Sequence, residues 1–414
     1  MGLVARADRA GARPRIGFLD GLRGLAAIYV VLHHAALMVA PAGLSGTAQV
    51  VRYLLRHGHY AVSLFVVLSG FGLMQRVLVD GGDRLPGGTL AYVLRRARRI
   101  LPPYYAALGL TWLLIALIPA LGEPGLTPWD RALPAFSTGS IVAHLLLIHN
   151  LDGQWIFRVA PPFWSLATEW QAFLLFPALL AARRRWGITA AVASAVIAGE
   201  AIAALSVPLQ RPALRVLCPW YLGLLAMGMA GAVLTRQARI FQALRAHTGL
   251  DRALVALVFL STGLAWWTIG PADETRMMVG DLACGLAITA LAVRWSYLSM
   301  KADAQPWANR PRVLRCFEGR FMVASGRLSY SLYLTHYPIL ALANLALRAQ
   351  GWGSDARLAA LILIVSPSCL LLAELFRRLF ESPQVVGSPA AARERLDPVE
   401  KDRVLVRTRT AIEA

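Results

Sequence analysis

Charged side chains are scarce in this chain. Aspartate, glutamate, lysine and arginine make up 16% of its 414 residues, whereas 57% of the residues are hydrophobic. Charged residues account for about 25% of an ordinary soluble domain, and a soluble protein this apolar would expose large aggregating patches. The composition therefore argues against an ordinary soluble protein and predicts an all-α, polytopic integral membrane protein.

Lysine and cysteine are also rare. Lys301 and Lys401 are the only lysines, so arginine carries nearly all of the positive charge behind a formal net charge of +19. The arginines lie mainly in loops between apolar segments, a pattern typical of membrane orientation rather than of nucleic-acid binding. The four cysteines show no CxxC or Cys/His spacing, which argues against a disulfide framework and against a zinc site. We therefore expect no nucleic-acid partner and no metal.

Ten apolar segments each have close to the roughly 20 residues that a helix needs to cross a bilayer. They lie at about 18–40, 59–79, 101–121, 163–182, 187–206, 213–235, 251–270, 276–295, 323–347 and 357–379. A shorter apolar piece, Ile141 to His149, is expected to be a re-entrant or interfacial helix. The first segment does not resemble a cleavable signal peptide and is predicted to be a retained span.

The distribution of basic residues predicts the orientation of these spans. If the N-terminus is cytoplasmic and the ten spans alternate, 32 of the 42 basic residues fall on the cytoplasmic side and 9 on the opposite side. Such an excess is typical of cytoplasmic loops. Both termini are therefore placed in the cytoplasm, with a basic segment at 1–17, a transmembrane domain at 18–380 and a polar, mostly disordered tail at 381–414.

The first span carries ionisable residues that are costly in hydrocarbon: Asp20, Arg23, His33 and His34. Such a residue inside a span is by default a candidate for a functional site. At about 100° per residue, Arg23 and His34 share one helix face about 16 Å apart along the axis, while His33 points about 100° away. An imidazole is a usable general base at neutral pH. The alternative is a pair of histidines that only caps the span at the interface.

Two further stretches suggest roles in ligand binding. Ser69 lies in a span rich in small residues, for which tight helix packing is the competing explanation. A basic run ends in Pro102 and Pro103, which are expected to fix a turn. Its arginines suit the phosphates of a cytoplasmic ligand, or serve only as an anchor for anionic lipids. The run consists of Arg95, Arg96, Arg98 and Arg99.

Two polar stretches lie in later spans. Glu169 is flanked by tryptophans, which is typical either of an interfacial belt or of a cavity where the carboxylate orients a substrate hydroxyl or shares its proton. Ser329, Tyr333 and His336 fall on one helix face. For these three residues, hydrogen bonding between spans is the favoured explanation.

Taken together, these stretches resemble the membrane-bound acyltransferase-3 family over about residues 16–380. Family members are ten-span proteins that move an acyl group, usually acetyl from cytoplasmic acetyl-CoA, to hydroxyls of polysaccharides, lipid-linked sugars or secondary metabolites. Some relatives carry an extra-cytoplasmic esterase-like domain after the last span, and we expect none here. The resemblance rests on five strings in their order and spacing: LDGLRGLAAIYVVLHH, SLFVVLSGFGL, RRARRILPPYY, FWSLATEWQAFLLFP and GRLSYSLYLTHYPI.

The resemblance implies roles for particular residues. The family's arginine-x10-histidine pair corresponds to Arg23 and His34, which agrees with the helix-face argument. It implies catalytic roles for His34 and Glu169. It also implies acyl-CoA binding by Arg23, Ser69, Arg95, Arg96, Arg98 and Arg99, and substrate binding by Trp164 and Ser165. The family's aromatic pair after Glu-x-Gln is Ala172-Phe173 in this chain.

The sequence therefore predicts a multi-pass acyltransferase of the cytoplasmic membrane. It would move an acyl group, most simply acetyl, from acyl-CoA to a hydroxyl of a carbohydrate, glycolipid or secondary metabolite, with membrane lipids around it. The alternative is a transporter or exporter, but that class predicts repeats in two halves, and no convincing repeat is found. A lipid-binding scaffold would explain the arginine run but not the pairing of Arg23 with His34.

Overall fold

The computed structural model describes residues 17–80, 82–122, 137–206, 208–211, 213–237, 239–240, 256–257, 274–302 and 309–381. Regular secondary structure in these residues is helical, without a strand. The predicted all-α class is therefore confirmed. The N-terminal basic segment, the C-terminal tail and nearly all of the predicted span at 251–270 lie outside the described residues.

The helices of the described chain pack around one large apolar core, with a small second cluster formed by Ala26, Val30 and Ala61. In chain order they are α1 (Gly17–Leu37), α2 (Gly46–Leu54), α3 (Gly58–Asp80), α4 (Gly88–Leu117), α5 (Thr138–Leu145), α6 (Phe163–Ala204), α7 (Ala213–Val216), α8 (Tyr221–Leu234), α9 (Glu274–Ala302), α10 (Arg312–Phe317), α11 (Arg320–Ala349), α12 (Ser354–Ala360) and α13 (Ser366–Phe380). A π-helical turn joins α12 to α13.

Six segments of the described chain are long and apolar enough to cross a membrane. They are Gly46–Val79, Gly88–Leu117, Phe163–Ala204, Ala213–Leu234, Met277–Lys301 and Ser354–Phe380. Helices α1 and α11 have 21 and 30 residues, but their polar side chains lower their mean hydropathy. The chain is thus a membrane protein with several apolar helices.

Helix α6 contains two of the predicted spans, 163–182 and 187–206. Gly187 has a φ of 87°, in the left-handed region that favours glycine, and the two helical halves meet there at a kink. Close to the kink, Nη1 of Arg183 donates to Oδ1 of Asp83 at 2.6 Å. This ion pair ties the kink to the loop that precedes α4.

The prediction of a turn after the arginine run is wrong. Helix α4 carries all four arginines and continues through Pro102 and Pro103. Proline removes a helix hydrogen bond because it has no N–H, but membrane helices tolerate it where neighbouring groups satisfy the backbone. The carbonyls that lose a partner are those of Arg98 and Arg99. Next to them, the hydroxyl of Tyr330 on α11 donates to the carbonyl of Ile100 at 2.8 Å. The arginines therefore lie on a helix rather than in a loop.

The first part of the short apolar piece between α4 and α6 lies in α5, whose eight residues span about 12 Å. This length is too short to cross a bilayer, and the re-entrant or interfacial placement of the piece stays a prediction. The segment that follows α5 is joined to α6 by the buried Asn150. The side-chain amides of Asn150 and Gln171 form two hydrogen bonds with each other, at 2.8 and 3.2 Å.

Glycines allow two pairs of helices to pack with their backbones in contact. A Cβ added to Gly326 of α11 would lie 1.8 Å from the carbonyl oxygen of Asp20 on α1. A Cβ added to Gly70 of α3 would lie 2.0 Å from the carbonyl oxygen of Leu225 on α8. Small residues at such contacts are typical of membrane helices. The contact between α1 and α11 brings the polar faces of these two helices together.

We expect the substitution Gly326→Ala to destabilise the protein by about 1–3 kcal/mol, because the added methyl group forces α1 and α11 apart. Gly109→Ala is the matched control, since it lies inside α4 and an added Cβ meets no described atom within 4 Å. Thermal unfolding in detergent micelles compares the two variants. Equal melting temperatures would contradict the close contact.

A buried carboxylate joins α3, α8 and α9. Asp281 on α9 is fully buried. It accepts a hydrogen bond from Oγ of Ser63 at 2.6 Å and one from Nε1 of Trp220 at 2.9 Å. Buried polar groups are stable when their hydrogen bonds are satisfied. Asp281 therefore links α3, α9 and the start of α8.

Candidate active site

His34 of α1 contacts a second imidazole on α11. Its Nδ1 lies 3.0 Å from Nε2 of His336. The Nδ1 of His336 lies 2.9 Å from the carbonyl oxygen of Leu332, one turn earlier on the same helix. His336 is fully buried, whereas His34 is partly exposed. The pair thus holds one accessible imidazole against a buried one.

His33 points to a different neighbour, as its position on the helix predicted. Its Nδ1 lies 2.7 Å from the carbonyl oxygen of Leu55 and 3.3 Å from the backbone nitrogen of Gly58. A Cβ added to Gly58 would lie 2.3 Å from the imidazole ring of His33. His33 therefore fixes the turn that begins α3.

Arg23, Ser69 and Glu169 come together from α1, α3 and α6. Nη2 of Arg23 donates to the carbonyl oxygen of Leu68 at 3.1 Å, and its Nη1 lies 3.4 Å from the carboxylate of Asp20. Oγ of Ser69, the residue after Leu68, donates to Oε1 of Glu169 at 2.7 Å. Arg23 and Glu169 also interact electrostatically. Three residues that the sequence singled out separately thus form one group.

Glu169 is grouped with arginines rather than with His34. Its electrostatic partners include Arg23, Arg96 and Arg99, and none of its contacts within the described residues reaches His34. On α1, Arg23 and His34 are about 16 Å apart along the helix axis. The catalytic role of Glu169 stays a prediction, and its position favours organising Ser69 and the arginines.

Arg96 and Arg99 lie on the face of α4 that is directed toward the group formed by Arg23, Ser69 and Glu169. The two side chains interact electrostatically with each other and with Glu169, and Arg99 also interacts with Arg23. The guanidinium of Arg96 lies over the ring of Phe173 on α6, 5.6 Å from its centroid. These contacts hold positive charge beside Arg23.

Arg95 and Arg98 lie elsewhere on α4. Nη2 of Arg95 donates to the carbonyl oxygen of Pro86 in the preceding loop, at 2.7 Å. Both side chains are exposed. The structure therefore separates the four arginines of the run into two pairs with different surroundings.

Trp164 and Ser165 begin α6 beside α11. Oγ of Ser165 lies 2.6 Å from the hydroxyl of Tyr333, which also donates to the carbonyl oxygen of Pro162. The rings of Trp164 and Tyr221 are 6.2 Å apart between centroids. Ser165 is buried and already hydrogen bonded, while Trp164 is partly exposed. Substrate binding by these two residues stays a prediction.

Sequence reasoning did not place His336 and Tyr333 in the site. The signal was their spacing with Ser329 on one helix face, for which hydrogen bonding between spans was the favoured explanation. That explanation is confirmed for His336, which contacts His34, and for Tyr333, which contacts Ser165. The spacing does not reveal that the partner of His336 on α1 is His34.

Three known proteins resemble this chain in sequence, and two of them are named for acyl transfer. Peptidoglycan O-acetyltransferase OatA of Listeria monocytogenes is 26% identical over 179 residues, which cover 42% of this chain and 26% of OatA. "Protein 2 in picA locus" of Rhizobium radiobacter is 31% identical over 195 residues, which cover 44% of this chain and 88% of that protein. "Putative membrane-bound transacylase BcsY" of Komagataeibacter xylinus is 28% identical over 408 residues, which cover 91% of this chain and 86% of that protein.

The matched part of the sequence spans about a quarter of the length of OatA. No solved structure matches the chain significantly. The family described as "Acyltransferase domain" nevertheless matches residues 16–373, which include every residue of the site. The chain therefore belongs to the acyltransferase-3 family of membrane acyltransferases.

Proposed function

We propose that this protein is an integral-membrane O-acyltransferase that moves an acyl group, most simply acetyl, from an acyl-CoA to a hydroxyl of a saccharide or glycolipid. The observation that carries the proposal is the shared face of α1, which has a guanidinium near one end and a partly exposed imidazole near the other. Family membership supports acyl transfer as the class of reaction.

The arginine end of this face suits the phosphates of CoA. Guanidinium groups bind phosphate oxygens in pairs of hydrogen bonds, and Arg99 interacts electrostatically with both Arg23 and Arg96. Glu169 keeps this group from being purely cationic and holds Ser69. The pantetheine arm would then run along α1 and bring the thioester to His34.

His34 would act as general base on the acceptor. As the hydroxyl oxygen forms a bond to the acyl carbon, its proton passes to the imidazole of His34. The carbon–sulfur bond then breaks, and the imidazolium returns the proton to the departing thiolate. Atoms and charges balance without a further reactant, and the products are the O-acyl ester and free CoA.

The acceptor is proposed from two observations. OatA is named for O-acetylation of peptidoglycan, which supports a saccharide hydroxyl. Trp164 lies partly exposed at the start of α6, where an indole ring suits stacking on the face of a sugar. We also propose ten spans in the cytoplasmic membrane with both termini inside, because basic residues then concentrate on the side where acyl-CoA is available.

The test is consumption of the thioester. Purified protein in lipid nanodiscs is mixed with acetyl-CoA and peptidoglycan fragments or soluble glycans, and free thiol is followed with a thiol reagent. We expect thiol release that requires the acceptor, with an acetyl mass added to the glycan in mass spectrometry. Two results together would contradict the proposal. Acetyl-CoA would stay intact with every acceptor tested, and the glycans of the source strain would stay unchanged when the gene is deleted.

A further inference from the structure

The buried imidazole of His336 has both ring nitrogens engaged. Nδ1 faces the carbonyl oxygen of Leu332 at 2.9 Å, and Nε2 faces Nδ1 of His34 at 3.0 Å. We infer that His336 is a positioning residue that fixes the tautomer of His34, so that Nε2 of His34 is the nitrogen that accepts the proton. This inference rests on the proposed role of His34 as general base.

The hydrogen bonds assign the protons on both rings. A carbonyl oxygen only accepts, so Nδ1 of His336 carries its proton and donates to Leu332. A neutral imidazole has one proton, which leaves Nε2 of His336 with a lone pair. The nitrogen of His34 that faces this lone pair must therefore carry a proton. Nδ1 of His34 donates, and the lone pair of His34 lies on Nε2.

The neutral form of His336 follows from its surroundings. The ring is fully buried between α1 and α11, and its hydrogen-bond partners in the described chain are the backbone of Leu332 and Tyr333 and an imidazole, without a carboxylate. Burying a charge without a counter-charge is costly. A neutral acceptor also avoids placing a further carboxylate inside the membrane.

Nε2 of His34 is the nitrogen available for chemistry. Nδ1 of His34 faces His336, and the side chain is partly exposed. The ring also bonds to the backbone of Val30 four residues earlier, as Nδ1 of His336 does to Leu332. When Nε2 takes a proton, the positive charge spreads over the ring, and Nδ1–H keeps its acceptor on His336. A neighbour that holds a catalytic histidine in one tautomer and orientation in this way raises the rate without touching substrate.

Packing fixes the orientation of the pair. The ring of Tyr337 meets that of His34 edge-on with centroids 5.4 Å apart, and the ring of Tyr333 lies 5.9 Å from that of His336. The close contact of Gly326 with α1 sets the spacing of the two helices. The imidazoles are therefore held by the helix interface rather than by flexible loops.

Two variants of His336 test whether this residue acts as a hydrogen-bond acceptor or only fills space. His336→Gln keeps an acceptor oxygen at about the position of Nε2, whereas His336→Phe fills the space without an acceptor. We expect His336→Phe to lower kcat by about 10- to 100-fold, as loss of an orienting partner does, with KM for acetyl-CoA unchanged. We expect His336→Gln to remain within about threefold of wild type.

The comparison includes His34→Ala, so that failure of this inference differs from failure of the proposed function. Full activity of His34→Ala overturns the proposed function. An inactive His34→Ala beside a fully active His336→Phe overturns only the inference about His336. Equal losses in His336→Phe and His336→Gln, with wild-type melting temperatures, also overturn it. If His336→Phe does not fold, His336→Met replaces it, because methionine fits irregular space and lacks a strong acceptor.

Discussion

Replacing His34 with alanine is expected to lower kcat for acyl transfer by about 10²- to 10⁴-fold, the range that a positioned general base contributes. The acceptor hydroxyl would then lose its proton only to water as it attacks the thioester. Binding of acyl-CoA should change little, because the phosphates are proposed to bind near Arg23, about 16 Å away along α1. The measurement is thiol release under steady-state conditions, with KM determined for acetyl-CoA.

His33→Ala is the matched control for this substitution. Both variants remove one imidazole from adjacent positions of α1, but His33 contacts the turn before α3 rather than His336. We expect His33→Ala to cost about 0.5–1.5 kcal/mol of stability through the lost hydrogen bond and to keep most of the activity. If the two variants lost activity equally, or if His34→Ala stayed active, the assignment of His34 as the base would be wrong.

The relation of Arg23 to His34 was predictable from the sequence because it depends on one helix alone. Eleven residues are close to three full turns, so any regular helix places the two side chains on one face. The same reasoning separated His34 from His33, and the contacts of the two rings confirm the separation.

The partner of His34 was not predictable in this way. His336 is 302 residues away in the chain, and helical periodicity gives only the face on which it lies. The pairing depends on the rotation of α11 about its axis and on its approach to α1. Those are set by contacts such as that between Gly326 and Asp20, which a single sequence does not specify.

For the arginine run, the prediction from the sequence was wrong. Two prolines in a row are typical of a chain that cannot continue a helix, and they led to the prediction of a turn. The helix nevertheless continues through both prolines, as membrane helices can. Once the run is helical, its arginines no longer form one cluster. Their division into two pairs follows from helix geometry.

This division predicts unequal effects on acyl-CoA binding. Arg99→Ala is expected to raise KM for acetyl-CoA by about 10- to 150-fold, which corresponds to the roughly 1.5–3 kcal/mol of a hydrogen bond to a charged group. Arg99 interacts electrostatically with Arg23 and Glu169, beside the proposed path of the donor. If the arginine binds the donor equally in the ground state and the transition state, kcat should change little.

Arg98→Ala is the control that removes the same charge from the preceding position of the same helix. Arg98 and Arg99 are both exposed, so both variants weaken any general attraction to anionic lipid. We expect its KM to stay within about threefold of wild type. Acetyl-3′-dephospho-CoA adds a second comparison, because Arg99→Ala should lose its effect on this donor if Arg99 binds the 3′-phosphate and keep it if Arg99 binds the diphosphate. Equal KM values for the two variants would instead make the run a lipid anchor, and the donor phosphates would have to bind elsewhere.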